Sequence, residues 1–182
     1  MPADATSSII SGNSIHVIQG THAVSDDPNT VLVSILGSCV STCLWDETAR
    51  IGGMNHFLLP ESTSSDTEAT LFGAYAMELL INELLKSGAR KDKLRGKLFG
   101  GGRIVNGLSD IGAKNGAFAK RFLEREGIPC VSESLGGDRA RRIRFWPVDG
   151  RAQQLLLKSA AEVNAVAPPK PPVSDSGDVC LF

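Results

Sequence analysis

The chain has 182 residues, 42% of them hydrophobic and only 5% aromatic, with 19 Lys and Arg against 20 Asp and Glu. That composition fits one compact domain, able to bury roughly 70% of the surface its unfolded chain would expose, so folding requires neither disulfides nor a structural metal. A net charge of −1 argues against a nucleic-acid protein, which carries a clear basic excess.

Residues 1–14 are small and polar and read as a disordered leader ahead of a folded domain over 15–160. A first strand begins at residues 15–18, and Asp26, Asp27, Pro28 and Asn29 supply turn chemistry. The β-branched run 31–35 then ends at Gly37 and Ser38, and residues 40–45 and 51–57 read as two further strands, stopped by Pro60. Ser65 with Glu68 forms a capping box, and Met77, Leu80, Ile81, Leu84 and Leu85 make one helical stripe closed by Gly88. After a short strand at 97–99 and three glycines at 100–102, a second helix is expected from an Asn115 N-cap to Gly127. Residues 130–135 and 143–146 read as a hairpin around Gly136, Gly137 and Asp138, with a last strand at 153–157. Residues 161–182, rich in Pro and Ser, read as a flexible tail. The expected fold class is α/β (α+β): a layered sandwich of a mixed β-sheet with two to three helices.

Charge is unevenly placed along the chain. Residues 1–85 hold ten acidic residues and one Arg, whereas residues 86–158 hold 17 Lys and Arg against seven acids. The simplest reading is two faces that meet in one fold or are solvated. No Lys or Arg precedes Arg50, so a secretory signal is not expected, and no apolar run approaches the ~20 residues of a membrane span. A cytoplasmic protein with reduced cysteines follows. Cys39 and Cys43 stand four apart while Cys130 and Cys180 stand alone, which is no zinc framework, and no metal is expected.

The sharpest chemical signal is Cys39 on a Gly-Ser turn, followed 17 residues later by His56. Turn amides aimed at one spot would lower the thiol pKa and hold an oxyanion, and a short turn would bring His56 beside the cysteine. Thiol and imidazole within hydrogen-bond reach are the minimum for an activated nucleophile, although cysteine and histidine are more often structural. Gly100, Gly101 and Gly102 look like a phosphate loop only superficially, because the fingerprint needs glycine at Val105, so close backbone packing is expected and no cofactor. Cys43 reads as a buried apolar residue, with a resolving thiol as the alternative. His16 and His22 show no ligand partners. Arg139, Arg141, Arg142 and Arg144 read as a solvated strand face, with Arg142 set opposite the other two strand arginines.

The strings LGSCVSTCLWDETARIGGMNHFLLP, KLFGGGRIVNG, IGAKNGAFAKRFLEREGIP and LGGDRARRIRFWPVDG resemble, in order and spacing, the CheD family of chemoreceptor glutamine deamidases. The resemblance covers about residues 15–157. It implies a cytosolic enzyme of bacterial chemotaxis that converts receptor glutamines to glutamate, and a layered fold similar to the catalytic domain of cytotoxic necrotizing factor toxins. The family's nucleophile falls on Cys39 and its histidine on His56. Its third residue, a threonine just upstream, has no match here, where Val33 and Ser34 stand; Ser34 is the residue whose hydroxyl would replace it. The implied partners are methyl-accepting chemoreceptors as substrate and, as an alternative main role, a CheC-type phosphatase of the phosphorylated response regulator. The basic segment would attract a glutamate-rich receptor.

Overall fold

The computed structural model of the chain describes residues 9–11, 13–60, 66–104 and 110–158. The strands are β1 (Ile9–Ser11), β2 (Ser14–His16), β3 (His22–Ser25), β4 (Val31–Leu36), β5 (Val40–Asp46) and β6 (Ile51–Asn55), then β7 (Arg95–Gly100), β8 (Cys130–Leu135), β9 (Arg141–Trp146) and β10 (Arg151–Leu156). Two helices, α1 (Asp66–Lys86) and α2 (Ile111–Glu126), flank β7 in sequence.

The strands divide between two five-stranded sheets, ordered β1-β2-β4-β9-β10 and β3-β6-β5-β7-β8. Each is mixed, because β2 runs parallel to β4 in the first and β7 parallel to β8 in the second. The expected layered α/β class holds, with the β layer doubled. Met77, Leu80 and Leu84 of α1 and Phe118 and Phe122 of α2 pack with Val40, Leu44 and Leu98 on one face of the second sheet. On its other face Cys43, Trp45, Met54 and Phe99 meet Leu32, Leu36, Ile143 and Phe145 of the first sheet. Strand β5 is buried throughout because it has a core on both sides. Trp45 meets Phe145 edge to face across the sheets, with ring centroids 6.3 Å apart.

Several expectations change. Within the stretch 1–14 read as disordered, Ile9–Ser11 forms β1 and pairs with β2, because a hairpin satisfies the backbone of a segment carrying two isoleucines. Strand β3 carried no expected assignment. It is four residues long, and its place is set by antiparallel pairing to β6. Ser65 and the tail 161–182 lie outside the described residues, as does Cys180.

The expected hairpin at 130–146 does not form. β8 lies beside β7 in one sheet and β9 beside β4 and β10 in the other. Gly136 and Gly137, both at φ +80, carry the chain across, in the left-handed region where glycine is unstrained. Arg141 holds this crossover from inside, donating to the Ser134 carbonyl at 2.7 Å and to the Gly136 carbonyl. It is buried rather than solvated, whereas Arg142 and Arg144 share the outward face of β9. Strand alternation pairs 142 with 144, so the expectation that Arg142 stood apart from both was wrong.

Arg141→Met should therefore lower unfolding free energy by about 1–3 kcal/mol for each carbonyl left unpaired. Arg142→Met on the outer face should stay within about 0.5 kcal/mol of the parent. Urea unfolding of both proteins checks the contrast.

Candidate active site

Cys39 sits where the chain leaves β4 in one sheet to begin β5 in the other. Three consecutive carbonyls of this turn are captured. Gly102 N–H donates to Gly37 O at 2.9 Å and Gly101 N–H to Cys39 O at 2.8 Å. The Asn115 side chain donates to Ser38 O at 2.8 Å. Gly100 makes the approach possible: its φ is +113, and a Cβ there would lie 2.1 Å from the Cys39 carbonyl oxygen. The glycine triplet is thus a backbone clamp on the cysteine turn, which gives specific content to the expected close packing.

Asn115 was expected to cap α2, and it does not. The helix starts earlier, at Ile111, and Asp110 is the cap, accepting from Ala113 N–H at 3.0 Å. Asn115 is fully buried one turn inside, on the apolar face shared with Phe118 and Phe122. Its Oδ1 accepts from Leu59 N–H at 3.0 Å while its Nδ2 holds Ser38 O. One side chain therefore ties the segment after His56 to the turn before Cys39. The sequence signal for this role was an amide at helical spacing from two phenylalanines, a buried polar group that must have partners.

His56 follows β6. The Cys43 to Met54 pairing and the Val40 to Phe57 bridge share one antiparallel register. That register sets His56 opposite Ser41 and leaves Cys39 one diagonal step away, on the face turned toward the first sheet. The backbone of His56 is held on both sides, with Gly20 N–H donating to its carbonyl at 2.8 Å and its own N–H donating to Thr21 O at 3.0 Å.

The imidazole Nδ1 lies 2.9 Å from Ser34 Oγ and 3.1 Å from Val17 O. Ser34 is buried on β4, and its single hydroxyl proton goes to Val17 O at 2.8 Å. The hydroxyl can then only accept from the ring, so Nδ1 carries the proton and Nε2 presents a lone pair. Nε2 is buried and has no hydrogen-bond partner. Burial holds the His56 pKa below its ordinary value, with the Val17 carbonyl opposing the shift. His56 is therefore neutral at neutral pH and free to take a proton at Nε2.

The structure brings Ser34 directly to His56. Cys39 lies on the same sheet face, and its half-buried sulfur donates to Gln19 Oε1 at 3.3 Å. The expectation that turn amides would lower the thiol pKa is reversed: burial pushes it up to about 11, outweighing the hydrogen bond from the cysteine's own amide. The free site thus holds a neutral thiol and a neutral imidazole. Cys43 is fully buried in the inter-sheet core, as expected, and Cys130 is exposed at the start of β8. His16 on β2 pairs with Val33 and His22 on β3 with Asn55, so each lies one residue along from a member of this group. Asn115, Gln19 and the Val17 carbonyl escaped sequence reasoning because each reaches the site through tertiary contact.

Asn115→Ala should leave Leu59 N–H and Ser38 O without partners and cost about 1–3 kcal/mol per group. Asn115→Asp keeps an acceptor for Leu59 but sets a buried carboxylate oxygen against Ser38 O, so it should cost at least as much at neutral pH and less as the pH is lowered and the carboxyl is protonated. Chemical denaturation, with amide exchange at Leu59, distinguishes the two.

The family model described as CheD chemotactic sensory transduction matches residues 58–155, a stretch that begins just after His56. The probable chemoreceptor glutamine deamidase CheD of Caulobacter sp. (strain K31) is 54% identical over 173 residues, covering 92% of each chain. The protein of the same name from Rhizobium leguminosarum bv. trifolii (strain WSM2304) is 53% identical over 167 residues, covering 86% of this chain and 91% of that one. Among solved structures, the Bacillus licheniformis hypothetical protein YfiH superposes at a TM-score of 0.41 with 18% identity, covering 62% of this chain and 49% of that one. Identity above one half across nearly the whole chain establishes that it belongs to the CheD family.

Proposed function

We propose that this chain is a chemoreceptor glutamine deamidase whose nucleophile is Cys39, whose acid and base is His56, and whose ring-orienting group is Ser34. Family membership supports the activity. The observation that carries the residue roles is the His56 ring, fixed at Nδ1 by Ser34 and Val17 with Nε2 open.

In the proposed reaction the thiol proton passes to Nε2 as the sulfur attacks the carboxamide carbon of a receptor glutamine. The Nδ1–H contacts to Ser34 Oγ and Val17 O stabilise the imidazolium that forms. Backbone N–H groups of the clamped turn are the candidate donors to the tetrahedral oxyanion. His56 then returns the proton to the departing nitrogen, ammonia leaves, and a thioester remains on Cys39. Nε2 next draws a proton from water, which adds to the thioester and releases glutamate with the thiol restored. Each turnover replaces a neutral amide on a receptor helix by a carboxylate.

No helix among the described residues is long and apolar enough to cross a membrane. A thiol nucleophile also works only where it stays reduced, so we place the activity in the cytoplasm. A partnership with a CheC-type phosphatase is a separate role, tested by pull-down with the Cys39→Ala protein.

Mass spectrometry of receptor peptides tests the reading. Cys39→Ala should abolish the amide-to-acid conversion, and His56→Ala should slow it by about 10²–10⁴-fold. Unchanged conversion by Cys39→Ala overturns the mechanism. Ser34→Ala should cost less than His56→Ala, because Val17 O still accepts from Nδ1. The pH profile has a definite sign: a lowered His56 pKa keeps the base competent down to mildly acidic pH, while the raised thiol pKa favours attack as pH increases. Activity should rise from acid through neutral into alkaline pH, with no fall across neutrality.

A further inference from the structure

We propose that Gln19 occupies the subsite for the substrate's carboxamide when no substrate is bound, so that the free enzyme carries a glutamine side chain of its own against its nucleophile. The inference rests on the deamidase reading, since it identifies the occupant by the chemistry of that reaction's substrate.

The contact is direct: the Cys39 sulfur donates to Gln19 Oε1 at 3.3 Å. Gln19 is exposed, with solvent available to its amide, yet its side chain reaches back to the sulfur. Its backbone is not free to wander. Thr21 N–H and Oγ1–H both donate to Ile18 O, at 3.0 and 2.8 Å, closing the turn that carries Gln19. Gly20 N–H then donates to His56 O, and His56 N–H to Thr21 O. The turn bearing Gln19 is therefore fastened to the backbone of the candidate base, and its reach to Cys39 is set by the same strand end that sets His56.

The geometry is one of holding rather than of reaction. The thiol proton points at the amide oxygen, whereas substitution needs the sulfur lone pair on the amide carbon, with the oxygen turned to backbone donors. A receptor glutamine must displace the Gln19 amide before the sulfur can turn toward Nε2. An occupant of this kind lowers apparent affinity by the fraction of time the site is open, and it covers the thiol from other reagents.

The test uses the full-length protein with Gln19→Ala and Gln19→Glu variants. Alkylation of Cys39 by iodoacetamide, itself a small carboxamide, is followed on the Cys39 peptide by mass spectrometry, beside receptor deamidation kinetics. Gln19→Ala should speed Cys39 alkylation and lower the KM for receptor, each by about two- to tenfold. Gln19→Glu should slow alkylation at fixed pH and move its pH midpoint upward, because a carboxylate beside the sulfur opposes the thiolate. Equal alkylation of Gln19→Ala and the parent, or a KM that rises, overturns the proposal. Cys39-dependent conversion of Gln19 to glutamate in the parent also overturns it, making the residue a substrate instead of an occupant. Alkylation needs no receptor turnover, so loss of the deamidase reading shows in the receptor assay alone and is distinguishable from loss of this one.

Discussion

The site depends on the capture of the carbonyls of residues 37, 38 and 39 by Gly102, Asn115 and Gly101. A Gly-Ser turn by itself is a mobile support for a side chain. Here the turn is also a crossing point, since β4 belongs to one sheet and β5 to the other. A later crossing, from β8 to β9 through Gly136 and Gly137, is anchored to the same glycine loop. Gly136 N–H donates to Gly100 O at 2.9 Å and Arg103 N–H to Gly137 O at 2.8 Å. These two of the four passages between the sheets are thus tied to residues 100–103, and the candidate site lies where they meet. Ser34 arrives from one sheet and Cys39 and His56 from the other, so the site exists only when the two sheets are packed.

Its electrostatics are those of a partly buried, uncharged site. Among the described residues a hydroxyl and a carbonyl, and no carboxylate, contact the His56 ring. A neutral acceptor fixes the tautomer without holding the ring in its charged form, so burial keeps the imidazole neutral and the thiol protonated. In the proposed reaction, charge then appears only as the thiol proton is transferred. A neutral thiol is also less prone to oxidation than a thiolate.

The basic second half of the chain resolves into several environments. Lys97 donates to Gly150 O at 2.7 Å with its ammonium over the Trp45 ring, and Arg141 is interior. Lys91 pairs with Glu126 and Lys120 with Glu133, both on the surface and both within the basic half. Part of the excess is therefore spent inside the molecule, and the linear charge count overstates the field a partner meets.

Much of the fold was legible in the amino-acid order because local rules decided it. Val31–Leu36 and Val40–Asp46 are β-branched or apolar runs between turn residues, the α1 stripe has helical spacing, and Gly88 and Gly127 stop helices at positive φ. Cys39 and His56 stood out as candidates because of their types and their setting in the Gly-Ser turn and the MNHF string. What local rules could not decide was partnership. Whether residues 130–146 close a hairpin or bridge two sheets depends on which neighbour each strand finds, and both outcomes use the same glycines. Asn115 reads as a cap until its helix is seen to begin at Ile111, and Ser34 becomes the partner of His56 only when β4 and the end of β6 face each other. The sequence by itself determined most of the elements and singled out Cys39 and His56 as candidates. The tertiary structure alone decided their protonation states, their supports and the side chain resting on the sulfur, because burial and hydrogen bonding are set by neighbours distant in the chain.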